Sequence, residues 1–157
     1  MTRPIVIRQS RLIQARIDDV FRFTQDYAQR PSWDRSVRRA SVLSESPSLR
    51  VRVTLRGGHE ATFVYKAERD SGEPGGRVRA TSVTMTDIRS WLIHSGGGSW
   101  RYEEQNGHTL WTQVMSLTLR PGPVGILLRP LIAWGAARQL KRAMRTAAAR
   151  LAESHAE

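Results

Sequence analysis

Two prolines, Pro121 and Pro123, divide this chain into parts of different periodicity, and that division constrains the fold more than any single motif. Ahead of them, apolar residues alternate with polar ones, as they do along strands with one buried face. Val51, Val53 and Leu55 alternate with Arg50 and Arg52, which sends the arginines outward and the aliphatics inward. Behind the prolines, Ala133, Ala137, Leu140, Met144, Ala147 and Leu151 recur at spacings of three and four, the pattern of one buried helix face. The implied class is α+β: an antiparallel sheet whose apolar face is covered by a long C-terminal helix.

Turn chemistry sets the order of elements. Ile5 to Ala15 reads as a first strand, after which Asp18 or Asp19 caps a short helix through Val20, Phe21 and Phe23. A second short helical piece covers Tyr27 to Trp33, with Pro31 at a boundary. Strands follow over Val37 to Leu43, Leu49 to Arg56, Glu60 to Glu68 and Arg77 to Met85, with a further one from about Ile88. Ser46-Pro47-Ser48, Gly57-Gly58 and the loop Ser71 to Gly76 separate them. Gly96-Gly97-Gly98 lies inside a strand region and implies a bulge or bend. Trp100 to Glu104 and Thr109 to Leu119 flank Gln105-Asn106-Gly107, whose Asn-Gly step is the strongest hairpin signal in the chain. Pro130 either kinks the final helix or marks its true start. With no repeat and no linker, the 157 residues are expected to form one domain, 1–157, with about seven strands.

Composition narrows the chemistry. There is no cysteine, which excludes disulfides, zinc–thiolate sites, iron–sulfur clusters and cysteine nucleophiles. No histidine pair has metal-ligand spacing, and there is no GxSxG elbow, Walker loop or dinucleotide fingerprint, so neither a metal nor a cofactor is expected. The apolar stretch Val124 to Ala137 is interrupted by Arg129 and Pro130 and falls short of the roughly 20 residues that cross a bilayer. The amino-terminal MTRPIVIRQSRL has no continuous apolar core before a cleavage site, and cytoplasmic residence is the expectation. Lys and Arg number 25 against 14 Asp and Glu, a net charge of +11. The cations are almost all arginine and are scattered from Arg3 to Arg150, which speaks against specific nucleic-acid binding. They suit a solvated face, an anionic ligand, an acidic carrier-protein partner or, at most, peripheral contact with an anionic membrane.

Val20-Phe21-Arg22-Phe23 in the first helix, Ser32-Trp33-Asp34 soon after, Gly98-Ser99-Trp100-Arg101-Tyr102 before an Asn-Gly hairpin, and a final Leu/Ala/Arg helix form an ordered set. In that order the chain resembles the START and birch-pollen-allergen-like (SRPBCC) superfamily and, within it, bacterial polyketide cyclase/dehydrase-like proteins. The resemblance implies a helix-grip fold, a curved sheet wrapped around the last helix, with a deep cavity between the two. It also implies an apolar or aromatic small-molecule ligand, and an acyl carrier protein as partner if the chemistry is that of a polyketide cyclase, aromatase or dehydratase.

Alternation then proposes what lines such a cavity. Thr109, Trp111, Gln113, Met115, Leu117 and Leu119 form the bulkier face of the last strand, Trp100 and Tyr102 point the same way from its partner, and Ala61, Phe63, Tyr65 and Ala67 from the fourth. The candidate ligand-binding set is therefore Phe63, Tyr65, Trp100, Tyr102, Trp111, Gln113 and Met115, with Trp33 as a lid. The same rings equally describe an ordinary packed core. Gln113 either orients a ligand carbonyl or pairs with Tyr65 or Tyr102, because an inward amide needs a partner. For catalysis, Tyr65, Gln113 or Arg79 would stabilise an enolate and Asp34 or His94 would move protons. Each has a structural alternative: Asp34 as a turn or capping carboxylate, Arg79 as a solvated side chain in the preferred register of its strand, His94 as a structural residue. Read as a carrier or sensor of a lipid or isoprenoid, the same chain would touch an anionic membrane through Val124 to Trp134. A protein-interaction module with a filled core is the third reading.

Overall fold

The alternating segments form one sheet of eight strands in the computed structural model, which describes residues 2–156. After β1 (Ile5–Ile13) come two short helices, α1 (Ile17–Thr24) and α2 (Arg30–Trp33). β2 (Val37–Ser44), β3 (Arg50–Leu55), β4 (Glu60–Tyr65), β5 (Arg69–Glu73), β6 (Gly76–Arg89), β7 (Ile93–Gln105) and β8 (His108–Leu119) follow, and α3 (Pro123–Ser154) ends the chain. The spatial order is β1-β8-β7-β6-β4-β3-β2, with β5 as a short extra partner of β6. The sheet curves around α3, whose Leu140, Ala143, Met144, Ala147 and Leu151 are buried against it. This is the helix-grip arrangement, and the core lies between the concave face and that helix.

Local chemistry accounts for the elements. Asn106 and Gly107 both take positive φ, 51° and 80°, which closes the tight hairpin between β7 and β8. The three glycines of β7 work by close approach. A Cβ on Gly97 would stand 2.7 Å from the Val83 carbonyl oxygen, and one on Gly98 would stand 2.6 Å from that of Val114. Their missing side chains let neighbouring strands coil tightly here, while the register shift itself falls just before them, between Ile93 and Ser95.

The structure corrects four local expectations. β6 continues unbroken to Arg89, and the turn into β7 carries no glycine, proline or asparagine. It is built instead by Ser90, whose Oγ accepts hydrogen bonds from the Leu92 and Ile93 amides. β5, Arg-Asp-Ser-Gly-Glu, overlaps the expected loop Ser71 to Gly76; it has no apolar alternation, and its ladder with β6 holds it as a strand. α1 starts after Arg16 with no side-chain cap, and Asp18 and Asp19 sit in its first turn, where a negative charge suits the helix dipole. α3 runs from Pro123 straight through Pro130, so Pro130 is not its start.

Candidate functional site

The inward-facing rings divide into two groups according to what α1 and α2 cover. These helices and the turn between them plug one end of the grip with Phe21, Tyr27 and Trp33. Trp33 is fully buried and meets Trp111 edge-on at 5.8 Å, and Trp111 stacks on Tyr102 at 6.2 Å with the ring planes 5° apart. Tyr102 meets Phe21 at 5.2 Å, and its hydroxyl bonds Thr24 at 2.6 Å and Gln25 at 2.9 Å. Burial pushes the Tyr102 phenol up to about 12, against the pull of those hydrogen bonds. Tyr65 lies between Tyr27, at 5.2 Å, and Trp100, at 5.6 Å, and burial raises its pKa too. Trp33, Tyr65, Tyr102 and Trp111 are therefore packed core, and Ala67 is exposed beyond the end of β4.

The other half of the concave face is open. A cavity of about 230 Å³ lies there between the sheet and α3. Its walls are mainly apolar: Val37, Leu55, Phe63, Val83, Met85, Ile93, Met115 and Leu117 from the strands, with Ala136, Leu140 and Ala143 from α3. Small residues make the space, above all Gly97 and Gly98 on the floor and the two alanines on the helix. Of the expected set, Asp34, Phe63, Trp100, Gln113 and Met115 line it together.

Gln113 stands opposite Trp100 across the β7–β8 ladder and is 6% exposed. Its Oε1 has no hydrogen-bond partner in the protein, and neither has the Trp100 Nε1. The pairing with Tyr65 or Tyr102 considered from sequence does not supply one. Beside it lies an ion pair that sequence reasoning missed on one side: the Arg30 Nε donates to Asp34 Oδ2 at 3.1 Å, with both side chains buried. The Arg30 guanidinium also stands over the rings of Trp33, at 4.8 Å, and Trp100, at 5.6 Å. Burial works most strongly against the charge on Arg30, but the Asp34 carboxylate together with Tyr65 and Tyr27 more than offsets it, so its pKa stays above the ordinary arginine value. Asp34 Oδ1 accepts from both the amide and the hydroxyl of Ser36. Both its oxygens are thus engaged, as in a turn-capping carboxylate. The four-residue spacing of Arg30 and Asp34 around Pro31 was the signal available for this pair.

His59, which precedes β4 beside the Gly57-Gly58 turn, also lines the cavity. Its Nδ1 lies 2.7 Å from Ser90 Oγ. Because Ser90 Oγ already accepts two backbone amides, its hydroxyl proton goes to the imidazole, and neutral His59 carries its own proton on Nε2.

Two expected catalytic residues stand elsewhere. Arg79 faces inward opposite Tyr102, the register not preferred from sequence. It reaches no cavity, because its guanidinium meets Glu68 at 2.6 Å and Asp18 at 2.9 Å and covers the Phe21 ring at 3.7 Å. His94 is exposed, next to the buried Ile93 that takes the inward side. Among the described residues no three His, Asp or Glu side chains converge as metal ligands, and no helix is long and apolar enough to cross a membrane.

Known structures share this architecture. A protein from Thermus thermophilus superposes with a TM-score of 0.72 at 14% identity, over 95% of this chain and 98% of that one. An aromatase/cyclase from Streptomyces sp. R1128 gives 0.69 at 14% identity over 95% and 94%. A norcoclaurine synthase from Thalictrum flavum, solved with a transition-state analogue, gives 0.64 at 15% identity over 100% and 99%. At these identities the likeness concerns the fold. No curated protein sequence matches the chain. The helix-grip fold is also that of a START-superfamily protein from Mycobacterium smegmatis, and a family model described as polyketide cyclase/dehydrase and lipid transport matches residues 4–156, so this cavity-bearing chain belongs to that family.

Proposed function

We propose that the cavity binds an apolar or aromatic small molecule with one polar end, the apolar body against Phe63, Met85, Met115 and Leu140 and the polar end at Gln113. The observation that carries this is the coincidence of a roughly 230 Å³ apolar space with a buried amide whose oxygen lacks a partner. Left empty, an apolar void of that size costs about 5–6 kcal/mol at roughly 24 cal/mol per Å³, comparable to the whole stability of a marginal domain. The unpartnered amide adds about 1–3 kcal/mol. A ligand with a donor group relieves both, and the same open volume speaks against the filled core of an interaction module. Titration with naphthol tests this: quenching of tryptophan fluorescence should saturate in the native protein and be lost in Ala136→Trp, which fills the cavity from α3. Saturation unchanged in that variant would refute the site.

A second reading, cyclisation or dehydration of a polyketide chain delivered by an acidic acyl carrier protein, draws support from one feature. Arg30 and Gln113 stand together in the wall, and such groups stabilise an enolate. With both Asp34 oxygens engaged, His59 is the wall residue suited to moving a proton. Turnover of a poly-β-carbonyl chain that is lost in Gln113→Leu and in His59→Gln would establish this reading; full activity in both variants would eliminate it.

A further inference from the structure

One exposed stripe of α3 changes character along its length. Val124, Leu127, Leu131 and Trp134 succeed one another at spacings of three and four, which puts them on one side of the helix. They are 55%, 79%, 62% and 60% exposed, although large apolar side chains on a helix normally face a core. The same spacing continues into Arg138, then Lys141 and Arg142, then Arg145, all exposed. Arg138 lies over the Trp134 ring at 5.2 Å, where the apolar half meets the cationic half. Further along, the opposite side of the helix is occupied, because Leu140, Ala143, Met144, Ala147 and Leu151 are buried, whereas in the first turns Ile126 on that side is also exposed, at 69%.

Charge selects the occupant. Between positions 105 and 152 the sequence contains no Asp or Glu and seven cations. We propose that this stripe docks α3 onto an anionic lipid bilayer, with Leu127, Leu131 and Trp134 entering the headgroup boundary and the cationic turns held by lipid phosphates. Tryptophan and leucine beside arginine and lysine are the side chains that interfacial helices use, and cations near such a surface draw it in additively until salt screens them. α3 itself supplies Ala136, Leu140 and Ala143 to the cavity wall, so the docked helix also forms one side of the ligand site.

Co-sedimentation of the whole protein with vesicles tests the proposal, comparing phosphatidylcholine alone with phosphatidylcholine mixed with phosphatidylglycerol. Retention on the mixed vesicles is expected to exceed that on neutral ones by at least about tenfold and to fall as salt is raised. Leu127→Glu/Leu131→Glu and, separately, Lys141→Glu/Arg142→Glu should each abolish it. These positions are exposed, and unchanged naphthol binding would report that the variants fold. Equal retention on both vesicle types, or retention unaffected by either pair of substitutions, would overturn the proposal. So would dimerisation in lipid-free solution that Leu127→Glu/Leu131→Glu dissolves, since the stripe would then be a contact between copies. Loss of naphthol binding alone bears on the cavity and not on this surface.

Discussion

Removing the Asp34 carboxylate would leave the Arg30 guanidinium buried without a counter-charge, whereas removing both leaves space for apolar side chains. Asp34→Ala is therefore expected to destabilise by about 3–5 kcal/mol, and Arg30→Met/Asp34→Leu to recover much of that, as read from urea denaturation. Gln113 behaves in the opposite sense: Gln113→Leu deletes an amide that has no partner for its oxygen, so the ligand-free protein should keep or gain stability while losing affinity for a ligand with a donor group. At the surface, the Arg77 hydrogen bond holds the Asp18 carboxyl below its ordinary range, with Arg79 adding to the effect. A lowered folded-state pKa contributes stability that is present above the unfolded value, about 3.9, and is lost as pH falls through the folded one. Asp18→Asn should flatten the acid limb of the stability profile below about pH 4 and leave its slope at neutral pH unchanged. Much at this scale was legible from alternation, which turned Phe63, Trp100, Gln113 and Met115 inward as found. Partnership was not: nothing in the pattern reveals that Arg79 faces inward only to meet Asp18 and Glu68, or that Tyr102 is committed to Thr24 and Gln25.

Among the elements, β7 depends most on what is missing from it. Gly97→Ala would drive a Cβ against the Val83 carbonyl, a backbone atom that yields only if the strand moves, and should cost about 1–3 kcal/mol in chemical denaturation. An alanine at Gly107 meets no neighbouring atom, but the turn needs positive φ there, so its loss should come from backbone strain alone. Hairpins announced by Asn-Gly and Gly-Gly could be read from sequence because those dipeptides carry their own conformational preference. The β6–β7 turn could not, since Ser90 makes it through side-chain hydrogen bonds that a serine forms only in the right frame. Strand β5 escaped for a related reason: its stability comes from the ladder with β6 rather than from its own residues. In α3 the periodicity gave the buried face correctly, while Pro130 does not mark the start of the helix, because a single missing amide interrupts only one hydrogen bond of a helix that runs from Pro123 to Ser154.

For the molecule as a whole, the decisive fact is that α1 and α2 fill one half of the grip and leave the other half open. Sequence showed that rings faced inward, but not which of them two short helices would cover, since that depends on where distant segments pack. The result is a domain whose aromatic end is solid core and whose glycine- and alanine-lined end is a cavity closed by a cationic, partly apolar helix. Native mass spectrometry of the protein purified from its own host, beside Ala136→Trp prepared identically, measures directly whether that space holds a molecule. A small apolar adduct on the native chain, absent from the variant despite an unchanged circular dichroism spectrum, is the expected result. A native chain with no adduct, or the same adduct carried equally by the variant, would contradict it.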